Sequence, residues 1–162
     1  MDSKTRLEQW LNGIKISHIS HSRATAHYKR LGRGLGIPVL ILTTVVGTAV
    51  FTAIASPNGY STGLQLLAGL LSMGAAVLSG LQTFLNYGEL AERHREAAVK
   101  YGGLRREIEE IISFTPNEDE LKPIMTALRT RWNALDVEAP SVPQKIHDSA
   151  VLRVKPNLIK KA

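Results

Sequence analysis

The stretch LLAGLLSMGAAVLSGLQTFLNYG, residues 66–88, carries no charge, yet Gly, Ala, Ser, Thr and Gln are dotted through it. Its surroundings decide how it reads. Residues 34–88 contain no Asp, Glu, Lys or Arg; all 20 Lys and Arg and all 14 Asp and Glu lie outside that block. A soluble helical bundle needs a polar face on almost every helix, and none can be drawn here without charges. A membrane is therefore the leading reading. A soluble, oligomeric helical scaffold that buries the whole block stands against it.

Two apolar runs separate within the block. LGIPVLILTTVVGTAVFTAIA covers residues 35–55, and GLQLLAGLLSMGAAVLSGLQTFL begins at Gly63. At ~1.5 Å rise per residue, each is long enough to span a ~30 Å hydrocarbon layer. Between them, Pro57, Asn58 and Gly59 are turn residues, and Tyr60 suits a membrane interface. Lys29, Arg30 and Arg33 precede the first run, and Arg93, Arg95, Lys100, Arg105 and Arg106 follow the second. The connecting loop has no basic residue, which places both termini in the cytoplasm. AIAS at residues 53–56 resembles a signal-peptidase site, but the preceding polar region and apolar run are too long for a signal peptide.

The expected architecture is all-α, a two-transmembrane helical hairpin with a cytoplasmic N-terminal amphipathic helix and C-terminal cytoplasmic helices. A single domain over residues 1–135 divides into a cytoplasmic helix (7–33), first transmembrane helix (35–55), outer loop (56–62) and second transmembrane helix (63–87). Cytoplasmic helices follow at 89–114 and 116–135. The remainder, 136–162, holds Pro140, Pro143 and Pro156 and reads as a loose tail with a short docking segment near residues 146–154.

The small and polar residues of the second span fall in one order. Gln65, Gly69, Ser72, Ala76, Ser79, Thr83 and Asn86 follow a 4-3-4-3-4-3 spacing, the heptad period that keeps one seam facing a partner helix. Ser72, Ala76 and Gly80 add a small-xxx-small step for close backbone approach. On the first span Thr44, Thr48, Thr52 and Ser56 recur every four residues, and threonine hydroxyls can bond back to their own helix. Such a seam can pack helices, within one hairpin or between copies, or line a water-filled path in a homo-oligomer. Nothing in it is ionisable, so it offers no proton relay and no gating charge.

Outside the apolar block, Leu7, Leu11, Ile14, His18, His21, Thr25 and Tyr28 share one helical face, with Trp10 adjacent and Gly13 weakening the helix. Leu90, His94, Ala97, Tyr101, Leu104, Ile108 and Ile111 make a matching face, with Gly102-Gly103 as a weak point and Gly88 as a candidate bend. Trp10, His18, His21, Tyr28, His94 and Tyr101 are the expected packing residues between these helices. Thr115, Pro116 and Glu118 form a helix start, with Pro123 expected to disturb the turns after it.

The chemistry classes narrow quickly. There is no Cys, which removes disulfides and thiolate zinc sites. His18 and His21 are three apart, but no Cys or nearby carboxylate completes a metal set. GLGIP at residues 34–38 follows no strand, so phosphate cradling by a glycine loop is not supported. No catalytic residue, metal or cofactor is expected, and enzyme activity is not. The net charge of +6 is concentrated in the N-terminal segment beside an apolar span, which points to anionic lipid headgroups rather than to direct nucleic-acid binding.

The Trp10 helix with IKIS (14–17), GIP (36–38), GTAVF (47–51) and FLNYGELAERHREAAVKYGGLRREIE (84–109) together resemble the SLATT family, small two-transmembrane bacterial proteins that accompany nucleotide synthetases and nucleotide sensors. The resemblance covers roughly residues 7–135. It implies an antiviral-defence effector of the inner membrane that oligomerises and permeabilises the bilayer, arresting or killing the cell. The trigger would come from a separately encoded nucleotide-signalling or reverse-transcriptase partner. A non-conducting membrane anchor that recruits a cytosolic partner is the alternative.

Overall fold

The computed structural model describes residues 3–55, 61–114 and 117–156. Among them there are only helices: α1 (Ser3–Ala55), α2 (Thr62–Leu85), α3 (Tyr87–Phe114), α4 (Glu118–Glu138) and α5 (Gln144–Val154). The turn at Pro57–Tyr60, Ser56 of the threonine series, and the Thr115-Pro116 helix start lie outside the described residues.

Four boundaries differ from the sequence reading. The segments expected at 7–33 and 35–55 form one helix, which runs through Pro38. The glycines around Pro38 do not end it, because only the bond to the Gly34 carbonyl is lost there. The break after α2 falls at Asn86 rather than at Gly88. Asn86 takes φ 39° and ψ 46°, the left-handed conformation that asparagine tolerates better than most side chains. Its N–H caps α2 on the Gln82 carbonyl at 3.1 Å, and its side-chain amide donates to Glu89 in the first turn of α3. α4 starts after Asn117 and runs on to Glu138, three residues beyond the expected end, with Pro123 inside it. Pro123 lies inside α4, where its missing N–H forfeits the bond to the Asp119 carbonyl without ending the helix. In the tail, the docking segment expected near residues 146–154 takes the form of a helix, α5, started by Pro143, whose carbonyl accepts from Ile146 and His147.

The chain forms two compact units. One comprises α1 up to His27 and the chain from Leu90 onward. Its core gathers Leu7 and Ile14 from α1, Ala97, Tyr101, Leu104 and Ile108 from α3, and Leu121, Met125 and Leu128 from α4. The residues from α3 and α4 are three or four apart and the two from α1 are seven apart, so one stripe per helix is buried. Gly13 permits the closest approach: a Cβ there would lie 3.0 Å from the Trp132 ring. Trp132 in turn meets Trp10 edge to face, with centroids 6.1 Å apart. Gly102 has the same use, since a Cβ would stand 3.3 Å from His18. The expected weak point at Gly102-Gly103 is thus uninterrupted helix, where the missing side chain admits a neighbour. α5 buries Ala150 completely, and Arg23 donates to Ser149.

The second unit spans Tyr28–Glu89. It contains the apolar parts of α1 and α2, which are long and apolar enough to cross a membrane. The most apolar stretch of the first has none of its residues buried, and that of the second only 6%. A core helix of a single-chain soluble protein would be covered, whereas these apolar surfaces are left open within the chain. Leu40, Phe51, Leu66, Leu70, Met73 and Phe84 all stand exposed. Within the unit Tyr28 stacks on Tyr87 at 6.0 Å, and Gln82 lies over Gly36, 3.6 Å from where a Cβ would be.

Candidate functional site

Two groups of residues carry the candidate chemistry, one in each unit. On α2, the residues with reduced exposure are Ala68, Leu71, Ala75 and Leu78. They too follow a 3-4-3 spacing, one step away from the polar seam. Ala75 is the buried one among them. All members of the seam (Gln65, Gly69, Ser72, Ala76, Ser79, Thr83 and Asn86) are exposed. The isolated chain therefore uses the alanine-leucine stripe internally and leaves the polar one outward. At Gly69 and Gly80 a Cβ would meet nothing within 4 Å.

The threonines of α1 are exposed as well, and each hydroxyl donates along its own helix. Thr44 donates to the Leu40 carbonyl at 2.7 Å, Thr48 to Thr44 at 2.8 Å and Thr52 to Thr48 at 2.9 Å. On α2 Thr83 donates to Ser79 at 3.1 Å. This satisfies the hydroxyl proton in an apolar surround, so the groups are tolerated in lipid. An exposed threonine oxygen that donates in this way can still accept a hydrogen bond.

The second group is a buried polar network. His21 from α1 and His94 from α3 are 4% and 0% exposed, and their Nδ1 atoms are 2.9 Å apart. Two ring nitrogens at that distance share one proton, so one imidazole donates and the other, necessarily neutral, accepts. The His21 ring stacks on Tyr101 at 5.3 Å, and the Tyr101 hydroxyl donates to Asp136 of α4 at 2.6 Å. Three helices are thereby joined through one polar chain. Burial, with the neighbouring His94 second, pushes the His21 pKa down to about 4, against a smaller upward pull from Asp136. Burial also lowers His94, and it raises the Tyr101 phenol together with its bond to Asp136.

His18 lies nearby on α1, lowered by burial and then by Arg105 and Arg106. Trp10 is half-buried against Trp132. Tyr28 belongs to the other unit, on Tyr87. His21 Nδ1 faces His94 on α3 rather than its sequence neighbour His18. Among the described residues no three His, Asp or Glu side chains gather as a metal site.

Asp136, Trp132, Ser20 and Ala24 were not legible as partners in the sequence. Ser20 and Ala24 are almost fully buried and four residues apart. That is a close-approach spacing of small residues, and it is the one signal that would have found them. Nothing local links Asp136 to Tyr101. No family model matches this chain, and neither a curated protein nor a solved structure does.

Proposed function

We propose that this protein is a membrane effector whose two apolar helices form a hairpin with both termini cytoplasmic, and whose copies assemble through the polar seam of α2 to permeabilise the bilayer. The observation that carries the reading is the outward position of the whole seam, from Gln65 to Asn86, while a separate stripe serves packing inside the unit. A heptad-spaced row of small and hydroxyl-bearing residues, exposed and surrounded by exposed Leu, Met and Phe, suits contact with another copy or with water in a lumen. The resemblance to SLATT proteins supplies the biological setting: bacterial antiviral defence at the inner membrane, with a separately encoded nucleotide-signalling or reverse-transcriptase partner as trigger and growth arrest or death as outcome.

The test is membrane potential in bacteria, read by a voltage-sensitive dye after induced expression with the chain's genomic neighbours and a triggering infection. Depolarisation is expected, and it should vanish when Ser72, Ser79 and Thr83 are all changed to Leu while membrane insertion persists. An unchanged potential with confirmed insertion refutes the effector reading in favour of a membrane anchor that recruits a cytosolic partner. Undiminished depolarisation by the triple variant refutes the role of the seam.

A further inference from the structure

A second feature of the unit built around His21 is an open groove of about 340 Å³ between α1 and α3. His18 and Ser22 contribute from α1; Arg95, Gly102 and Arg106 contribute from α3. No carboxylate lines it. The missing side chain of Gly102 sets its shape, because the His18 Nε2 edge and an Arg106 Nη atom both converge on the place a Cβ would take, at 3.3 and 3.8 Å.

The donors are differently placed. Arg95 is held by Glu92 through Nε and one Nη, which orients the guanidinium and leaves its other Nη outside that pair. Arg106 has no ion-pair partner among the described residues, and its neighbour Arg105 is engaged by Glu109. Ser22 adds a hydroxyl donor. His18 Nδ1 is buried without a hydrogen-bond partner, so the stable neutral tautomer places the proton on Nε2, at the groove. Ala98 and Val99 form an apolar flank.

We propose that this groove binds the phosphoryl group of a phosphate ester, gripped by Arg106, His18 Nε2 and Ser22, with Arg95 as a further cation along the groove and Ala98 and Val99 beneath the esterified group. The Arg106 guanidinium on α3 and the His18 imidazole N–H on α1 meet at Gly102 from two helices, so each can take a different oxygen of a tetrahedral phosphoryl group. The volume exceeds that of a bare phosphate and falls in the range of small-ligand sites. The positive potential that Arg105 and Arg106 exert on His18 is the field such an anion would neutralise. This site is independent of whether the chain conducts, since it lies wholly in one unit and shares no residue with the α2 seam.

The ester has two sources, a soluble metabolite or a lipid headgroup, and the test separates them. The full chain is placed in nanodiscs of phosphatidylcholine, and the His18 imidazole is followed by NMR, assigned through His18→Asn. In one arm adenosine monophosphate is titrated at constant ionic strength against chloride. In the other, nanodiscs containing phosphatidylglycerol replace the neutral ones with nothing added. Occupancy from either source should raise the His18 pKa, and Arg106→Ala should weaken the response about tenfold or more, the loss of one charge-assisted bond. A response to adenosine monophosphate identifies a soluble ligand; a response only to phosphatidylglycerol identifies a headgroup. Arg106 is exposed, so its variant should keep the fold, which Trp10 and Trp132 fluorescence verifies. No shift in either arm, a shift that chloride reproduces, or an equal shift in Arg106→Ala overturns the proposal.

Discussion

Lowering the pH from 7 to 5 should weaken the unit that contains His21 by about 2 kcal/mol through this one residue. His21 is buried against His94 and Tyr101 from α3 and feels Asp136 from α4. Its pKa is about 4 in the folded chain and 6.5 when unfolded. The unfolded chain therefore takes up the proton first as the pH falls. Stability is full above pH 6.5 and drains away as the pH drops toward 4, reaching a loss of about 3 kcal/mol there. His94 and His18, both lowered, act in the same direction. Below pH 5 carboxylates join in. Glu109, held down first by its bond to Arg105, loses its stabilising charge in that range, so the window from 7 to 5 isolates the histidines. The assay is urea unfolding of the full chain in a non-ionic detergent, followed by tryptophan fluorescence. Both tryptophans, Trp10 and Trp132, belong to this unit, which makes the signal specific to it. At a slope of roughly 2 kcal/mol per molar, the midpoint should fall by about 1 M. His21→Asn keeps a polar atom near the Nδ1 position and cannot become charged. It should lower stability at pH 7 and lose the share of the pH dependence that His21 carries, about 2 kcal/mol between pH 7 and 5. A variant that loses as much between pH 7 and 5 as the parent chain would refute the reasoning.

Three further outcomes follow from packing. Gly13→Val should destabilise the same unit by about 1–3 kcal/mol, because the new Cβ meets the Trp132 ring at 3.0 Å; the same urea titration reads it. Ile108→Ala empties a position with 0% exposure in the centre of the core and should cost about 2–5 kcal/mol by that assay. Asn86→Val places a branched side chain at φ 39° and should cost about 1–2 kcal/mol, whereas Asn86→Gly should be tolerated. Circular-dichroism melting of the purified protein in detergent distinguishes the two, and equal melting would remove strain at Asn86 as an explanation for the break.

The long uncharged block, its division into two apolar runs and the all-helical character could be read without coordinates. They follow from composition and period, which act residue by residue: a charge-free surface wide enough for a bilayer admits few other backbones. Leu7, Ile14, Tyr101 and Ile108 could likewise be assigned to apolar faces, because a helix repeats every 3.6 residues whatever it packs against. The spacing of Gln65, Ser72, Ser79 and Thr83 was just as plain, but not its direction. A neighbouring stripe, Ala68, Leu71, Ala75 and Leu78, has the same period, and only packing chooses which of two equivalent stripes turns inward. The continuity of α1 through Pro38 and the break at Asn86 also needed the structure, since single residues near a boundary shift the balance by only a few kcal/mol and neighbours decide it. The pairing of His21 with His94, the bond from Tyr101 to Asp136 and the convergence of His18 and Arg106 on Gly102 join residues far apart in the chain. Such contacts depend on which helix faces meet and at what depth. That is a property of the assembled unit, and no local spacing contains it.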